Sequence, residues 1–354
     1  MSETTEGGGR SRVPASRRVL RAAGRWAKRA GIGLLALFVV VTAFSFGYNA
    51  VTAAPAAPPP GLTFVPTGDL QTRYRQWSGP HPQGPPVVLV HGFVEDSDTW
   101  DPLARRLARE HDVQAYDMKG FGYTERRDPY ALQALSGQLG QFLDARGLQR
   151  PVLVAHSLGA GVVAKYAIDH PDRVGGVLFL DGDGIGTPRN GGGPGSLPDP
   201  WRTTLMRLVI GSDRVIRQLY ASQCGPACPP LDEAGVDRWR RPLQVAGAEQ
   251  GMLSMMGHGI VGLSQQELPK LGATGLPTSV VFGAEDSSFG HNSPEQTARR
   301  IGAPPPTLIP GARHLTMISD PDQVAAAVES LVARVRPDRG SPAADSAPHR
   351  RPGS

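Results

Sequence analysis

At 354 residues and 40% hydrophobic content the chain can hold one large α/β domain or two ordinary ones, and it is not a disordered protein overall. Its net charge of +5 is local, because residues 1–30 carry eight Arg and Lys against two Glu, which leaves the remainder slightly acidic. A nucleic-acid binder carries its basicity on the folded domain, so nucleic acid is excluded as a partner and the membrane is indicated instead.

Residues 1–30 read as a basic cytoplasmic tail, poor in large apolar side chains. From residue 31 to residue 68 there is no charged side chain, and GIGLLALFVVVTAFSFGYNAV (31–51) is long enough to cross about 30 Å of hydrocarbon. Six basic residues between Arg17 and Arg29 crowd one flank, so positive-inside orientation places everything after the 31–53 segment outside the cytoplasm. The segment is read as a retained transmembrane anchor. Val51-Thr52-Ala53 offers the alternative of a cleaved signal and a secreted domain, and Ser16-Arg17-Arg18 faintly resembles a twin-arginine export signal. Residues 54–61, rich in Pro and Ala, read as a stiff extended linker.

Leu62 to Trp77 suits a leading pair of strands at a sheet edge, by alternation of Thr72, Tyr74 and Gln76 against Arg73, Arg75 and Trp77. Pro85–Val90 is a buried strand ending in His91-Gly92-Phe93. Trp100, Leu103 and Leu107 mark a helix face, Val113–Asp117 a further strand, and Leu132, Leu135, Leu139 and Leu143 the next helix. Val174–Leu180 is again a strand. This alternation predicts a doubly wound, mostly parallel α/β sheet, with residues 62–183 as its first part.

Between 184 and 275 the rhythm breaks into Gly/Pro-rich and amphipathic material, read as an inserted helical cap whose Met252, Leu253, Met255 and Met256 line a substrate pocket or pack cap onto core. Residues 276–336 resume the sheet with Thr278–Phe282 and Thr307–Ile309. They close on Asp320-Pro321-Asp322-Gln323, which predicts a capped helix carrying Val324, Val328, Leu331 and Val335; 337–354 is a disordered tail. Cys224 and Cys228 are the two cysteines. In an exported domain they read as a local disulfide, since a metal site needs more ligands and a thioredoxin-like motif has two intervening residues.

The chemistry centres on PVLVAHSLGAGVVAKYAI (151–168), a strand, a sharp turn and a helix with Ser157 at the junction. Ala155 and Gly159 flank the serine at two residues on either side, so a strained turn can close and hold Oγ at the sheet's C-terminal edge, with the Leu158 N–H aimed at a developing oxyanion. A nucleophilic serine needs a base and a carboxylate to orient it, both at later strand ends. Asp286, in the Gly283-Ala284-Glu285-Asp286 turn, is the predicted acid, with Asp181 competing and Glu285 pointing elsewhere. His314, after Pro310-Gly311-Ala312-Arg313, is the predicted base, with His291 competing and His258 read as packing.

These motifs together resemble the α/β-hydrolase superfamily, of the capped type that includes esterases, lipases, epoxide hydrolases and haloalkane dehalogenases, over about residues 70–336. The matching residues are His91-Gly92-Phe93, the Asp117-to-Thr124 turn, Ala155-His156-Ser157-Leu158-Gly159, Gly283-to-Asp286 and His314. The resemblance implies that the residue after the His-Gly pair, Phe93, supplies the second oxyanion N–H. Ala155 stands where the family usually has glycine. The epoxide hydrolases and dehalogenases use aspartate where this chain has Ser157, which disfavours those activities. The expectation is a serine hydrolase acting on a small-molecule or lipid-like ester, without cofactor or metal. The alternatives are a catalytically weak ligand- or partner-binding protein at the membrane, or amide hydrolysis, acyl transfer or cofactor-free haloperoxidation at the same triad.

Overall fold

The computed structural model describes residues 15–80, 82–187, 197–288 and 292–335. Beyond Pro14 the chain runs through alanine, leucine, arginine and lysine with only isolated glycines, and it forms one helix, α1 (Ala15–Val51). The basic tail expected through residue 30 is therefore helical from Ala15 onward. Nothing between Arg17 and Arg29 stops helix propagation, so the charges and the apolar run share one rod. Its stretch Ala23–Val51 is long and apolar enough to cross a membrane.

Strands β1 (Thr63–Thr67) and β2 (Leu70–Ser78) pair antiparallel. Alternation then begins with β3 (Val87–Val90), α2 (Asp101–Leu107), β4 (Asp112–Tyr116), α3 (Leu132–Ala145), β5 (Val152–His156), α4 (Gly159–Asp169) and β6 (Gly176–Leu180). An insertion carries α5 (Trp201–Gly211), α6 (Asp213–Cys224), α7 (Glu233–Arg240), α8 (Ala248–His258) and α9 (Pro269–Ala273). The chain ends its sheet with β7 (Thr278–Gly283), α10 (Pro294–Ile301) and β8 (Thr307–Ile309), followed by α11 (Thr316–Ser319) and α12 (Pro321–Val332).

The eight strands lie in the order β1-β2-β4-β3-β5-β6-β7-β8. β2 meets β4 antiparallel, and every pairing from β4 across to β8 is parallel, so the leading hairpin forms the edge as its alternation predicts. β3, β5 and β6 are buried along their whole length, because helices cover both faces; this is why they read as unbroken apolar runs. One face packs against Leu135, Leu139 and Phe142 of α3 and Val162 and Val163 of α4. The other packs against Leu103 and Leu107 of α2 and Val324, Val328 and Leu331 of α12. α12 starts differently from expectation: the Asp320 carboxylate accepts from the Gln323 amide at 3.1 Å instead of capping the helix, and Pro321 opens the first turn.

The chain divides into two compact units, the N-terminal segment to Ala54 with Ser196–Leu208, and Pro55–Gly195 with Val209 onward. In the second unit the Pro/Ala stretch is not a free spacer, since the Ala56 N–H donates to the Gln244 carbonyl at 2.9 Å. The insertion leaves and rejoins the core through a short neck where Ile185 bridges to Leu263 and Thr187 to Ile260. Residues 337–354 and residues 188–196 lie outside the described residues.

Candidate active site

β5 ends at His156 and α4 begins at Gly159, so Ser157 and Leu158 make the whole turn. Ser157 sits at φ +53°, in the left-handed region that a side chain rarely occupies. It is held there by its N–H donating to the Leu180 carbonyl and its carbonyl accepting from the Ala160 N–H, both at 3.0 Å. The end of β3 passes close under the turn. A Cβ on Gly159 would lie 2.6 Å from the Val90 carbonyl oxygen, and one on Gly92 would lie 2.8 Å from the Ser157 Cβ. Ala155 is fully buried within β5, where its methyl is accommodated between Val90 of β3 and Phe179 of β6.

Asp286 follows β7 on a turn closed by its own N–H to the Gly283 carbonyl at 3.1 Å. Its carboxylate accepts from His314 Nδ1 at 2.8 Å, and the two side chains are 1% and 12% exposed. Burial alone would raise the Asp286 pKa, but the hydrogen bond and charge of His314, with the Ser288 N–H, bring it below the ordinary carboxylate value. Asp181, the competing acid, also leaves a strand end, and its oxygens take the Gly283 N–H at 2.7 Å and the Thr316 hydroxyl. Burial pushes its pKa up to about 8, so it is a protonated tie between strand ends at neutral pH, and the structure brings Asp286 rather than Asp181 to His314. Glu285 is exposed. His291 lies outside the described residues, as does the side chain of His258.

Sequence reasoning missed a second pair directly behind this one. His156 is fully buried, with Nδ1 at 2.9 Å from the Glu95 carboxylate and Nε2 at 2.8 Å from the His314 carbonyl oxygen. Both ring nitrogens therefore face acceptors, the pattern of an imidazolium. Burial lowers the His156 pKa, but the Glu95 carboxylate outweighs it and the value rises to about 9. Glu95 also accepts the Gly92 N–H at 3.0 Å. One buried ion pair thus connects the turn after β3, the Ser157 turn and the His314 loop. The His156 ring lies 4.6 Å from that of His314. The available signal was positional: a histidine beside the candidate nucleophile, and an acid three residues after Gly92.

The flanking motifs are structural. His91 is buried, accepts the Met118 N–H at Nε2 (2.9 Å) and faces the Gly92 carbonyl with Nδ1, and burial lowers its pKa. Asp117 gathers the N–H groups of Ser97 and Tyr123, each at 2.8 Å, which folds the glycine-rich turn after β4 back on itself. The N–H groups of Phe93 and Leu158 have no acceptor among the described residues. Leu158 precedes the first turn of α4, and Val94, next to Phe93, is itself at φ +62°.

A sequence model described as alpha/beta hydrolase fold matches residues 85–205, which contain the β3 turn and the Ser157 turn. The chain has the α/β-hydrolase fold, with a mostly parallel eight-stranded sheet. Epoxide hydrolase B of Mycobacterium tuberculosis is 36% identical over 125 residues, 34% of each chain. The pimeloyl-[acyl-carrier protein] methyl ester esterase of Edwardsiella ictaluri is 25% identical over 247 residues, covering 68% of this chain and 91% of the relative. The crystal structure of a membrane phospholipase A, a bacterial virulence factor, superposes with a TM-score of 0.61 at 21% identity, covering 90% of this chain and 98% of that one. Other curated relatives, uncharacterized mycobacterial proteins, are matched over only 30% of their length.

A cavity of about 270 Å³ opens beside Val94 and Glu95 and continues past Phe121 to Tyr220, Trp239 and Met252 of the insertion. Of the four residues expected to line it, Met252 does so. Met255 packs into the core, Leu253 is half-buried away from the lining, and the Met256 side chain lies outside the described residues. Two of the four carboxylates on the wall are ion-paired, Glu95 with His156, and Asp98 with Arg73 at 2.7 Å and Arg75 at 2.9 Å. Arg126 bridges core and insertion through the Thr124 and Pro242 carbonyls at 3.2 and 2.9 Å. Cys224 and Cys228 are joined in a disulfide at the C-terminal end of α6.

Proposed function

We propose that this protein is a membrane-anchored serine hydrolase, its catalytic domain outside the cytoplasm, that cleaves carboxylic esters or similar acyl bonds through Ser157, His314 and Asp286. The observation that carries the reading is the His314–Asp286 pair at 2.8 Å on strand-end loops of the sheet that also holds Ser157 in its left-handed turn. With Nδ1 donating to Asp286, Nε2 is the basic nitrogen. It takes the Ser157 proton as Oγ attacks the acyl carbon, and the Phe93 and Leu158 N–H groups receive the oxyanion; each such donor is worth roughly 10²–10³ in rate. Collapse expels the alcohol, protonated by His314, and water repeats the sequence to free the acid and restore Ser157. The cycle needs neither metal nor cofactor. The residues 184–275 act as a cap over the cavity and set substrate choice. A lipid-like or other small-molecule ester is the substrate class favoured, by the apolar cavity wall and by the names of two relatives, an esterase and a membrane phospholipase.

The test is labelling of the full chain in detergent with a fluorophosphonate probe, beside Ser157→Ala and His314→Ala, and hydrolysis of a p-nitrophenyl ester series. Labelling and turnover in the wild type that vanish in both variants support the reading. A folded wild type that neither labels nor hydrolyses any ester overturns it.

A further inference from the structure

In the unit formed by α1 and residues 196–208, the polar and apolar faces are arranged the wrong way round for water. Thr204 is buried, its hydroxyl 3.0 Å from Asn49 Oδ1. The Asn49 amide donates to the Pro200 carbonyl at 2.9 Å, and Arg207 donates to the Asn49 carbonyl at 2.7 Å and to Thr52 Oγ1 at 3.1 Å. The Trp201 ring stands edge-on to Phe38 at 5.2 Å. Trp201, Thr204 and Arg207 are spaced by three, so they form one stripe along the start of α5, and this stripe faces α1. The next stripe points away: Leu205 and Leu208 are 37% and 44% exposed, and Leu197, just before the helix, is 39% exposed.

In water an amphipathic helix buries its leucines and turns threonine and arginine outward. In a bilayer, contacts between helices are made by hydroxyl and amide groups, and leucines face lipid. The inversion reports the surroundings for which these residues are suited. The contacts fall mainly on Ser45 to Thr52 of α1, the end of the apolar run, and tryptophan and arginine are the side chains that suit such a boundary.

We propose that residues 197–208 lie in the outer-leaflet interface of the membrane against the end of α1, with Leu197, Leu205 and Leu208 in contact with lipid. On this arrangement α1 is a kept anchor, because Asn49 and Thr52 are partners of the folded α5. The inference rests on the anchoring part of the proposed function and not on its chemistry.

The experiment uses the full chain with Leu205→Cys, Leu208→Cys or Leu197→Cys, and Leu308→Cys as an exposed reference on β8; the native cysteines stay tied in their disulfide. Each thiol is labelled with an environment-sensitive fluorophore, and the protein is reconstituted into phosphatidylcholine/phosphatidylglycerol vesicles and floated on a density gradient. The expected result is flotation, with labels at 205, 208 and 197 blue-shifted, several-fold more quenched by lipids bearing a nitroxide near the headgroup than the label at 308, and shielded from aqueous iodide. Flotation with all labels open to iodide and untouched by the nitroxide overturns the interfacial seat alone. Failure to float overturns the anchor as well. Neither outcome bears on Ser157, whose labelling is read separately.

Discussion

The Ser157 turn and the inserted helices are specified by different kinds of contact. Around Ser157 the constraint is backbone on backbone, with Gly159 pressed against the Val90 and His91 carbonyls and Gly92 against the serine itself. At the cavity beside Val94 and Glu95 the insertion contributes side chains, Tyr220, Trp239 and Met252, which can change size without moving the chain. The first kind of contact fixes the backbone of the Ser157 turn. The second shapes what fits. Substitutions at the turn should therefore cost rate or stability outright, while substitutions in the insertion should redistribute preference among substrates.

The largest expected effect is on the acid. Asp286→Asn removes the charge that orients and stabilises His314 and should lower kcat/KM on an activated ester by about 10⁴, or about 5 kcal/mol. Asp181→Asn, whose side chain already holds a proton at neutral pH, should leave kcat/KM within a few-fold. Equal losses in both variants would break the division between the two acids.

Next comes the buried ion pair. His156→Leu strands the Glu95 carboxylate and should destabilise the fold by about 3–5 kcal/mol in denaturant unfolding. In the wild type the His156 pKa rises from 6.5 unfolded to about 9 folded. Its stabilisation is thus complete below pH 6.5 and lost as pH climbs through 9, so a melt series across that window should lose its alkaline fall in part in His156→Leu. Gly159→Ala follows, at about 1–3 kcal/mol, from the forced displacement of the Val90 carbonyl. Asp181 works in the same direction as His156. Its folded pKa of about 8 against 3.8 unfolded means that stability falls as pH rises between those values, and Asp181→Asn should flatten that slope in the same melts.

The strand-end placement of Ser157, Asp286 and His314 was legible because each lies where a short apolar run ends in a turn, a local pattern that survives in one sequence. The sheet was legible for the same reason: Val87–Val90, residues 152–155 and Gly176–Leu180 are apolar on both faces. The choice between Asp181 and Asp286 rested on strand-end position alone, since both leave strands at the same edge. What separates them is a hydrogen bond between residues 28 apart, from His314 to Asp286, which no spacing encodes. Glu95 and His156 were invisible for a related reason, being 61 residues apart and meeting only when β3 and β5 pair. The start of α1 at Ala15 was hidden by composition, because arginine and lysine signal solvation yet propagate a helix well.

The smallest effect tests the permissive side of the comparison. Met252 lies on the cavity wall in α8, one turn after Ala248, which also lines the cavity. Met252→Trp should fill part of the roughly 270 Å³ without touching the Ser157 turn. Each methylene that an acyl chain can no longer bury is worth about 0.8 kcal/mol, or about four-fold in kcat/KM. A p-nitrophenyl ester series should then show short chains unchanged and an optimum shortened by one or two carbons, with longer esters falling about four-fold per excess carbon. A uniform loss across all chain lengths, short ones included, would mean that the insertion and the Ser157 turn are mechanically coupled, and the contrast between a fixed chemical edge and an adaptable wall would have to be abandoned.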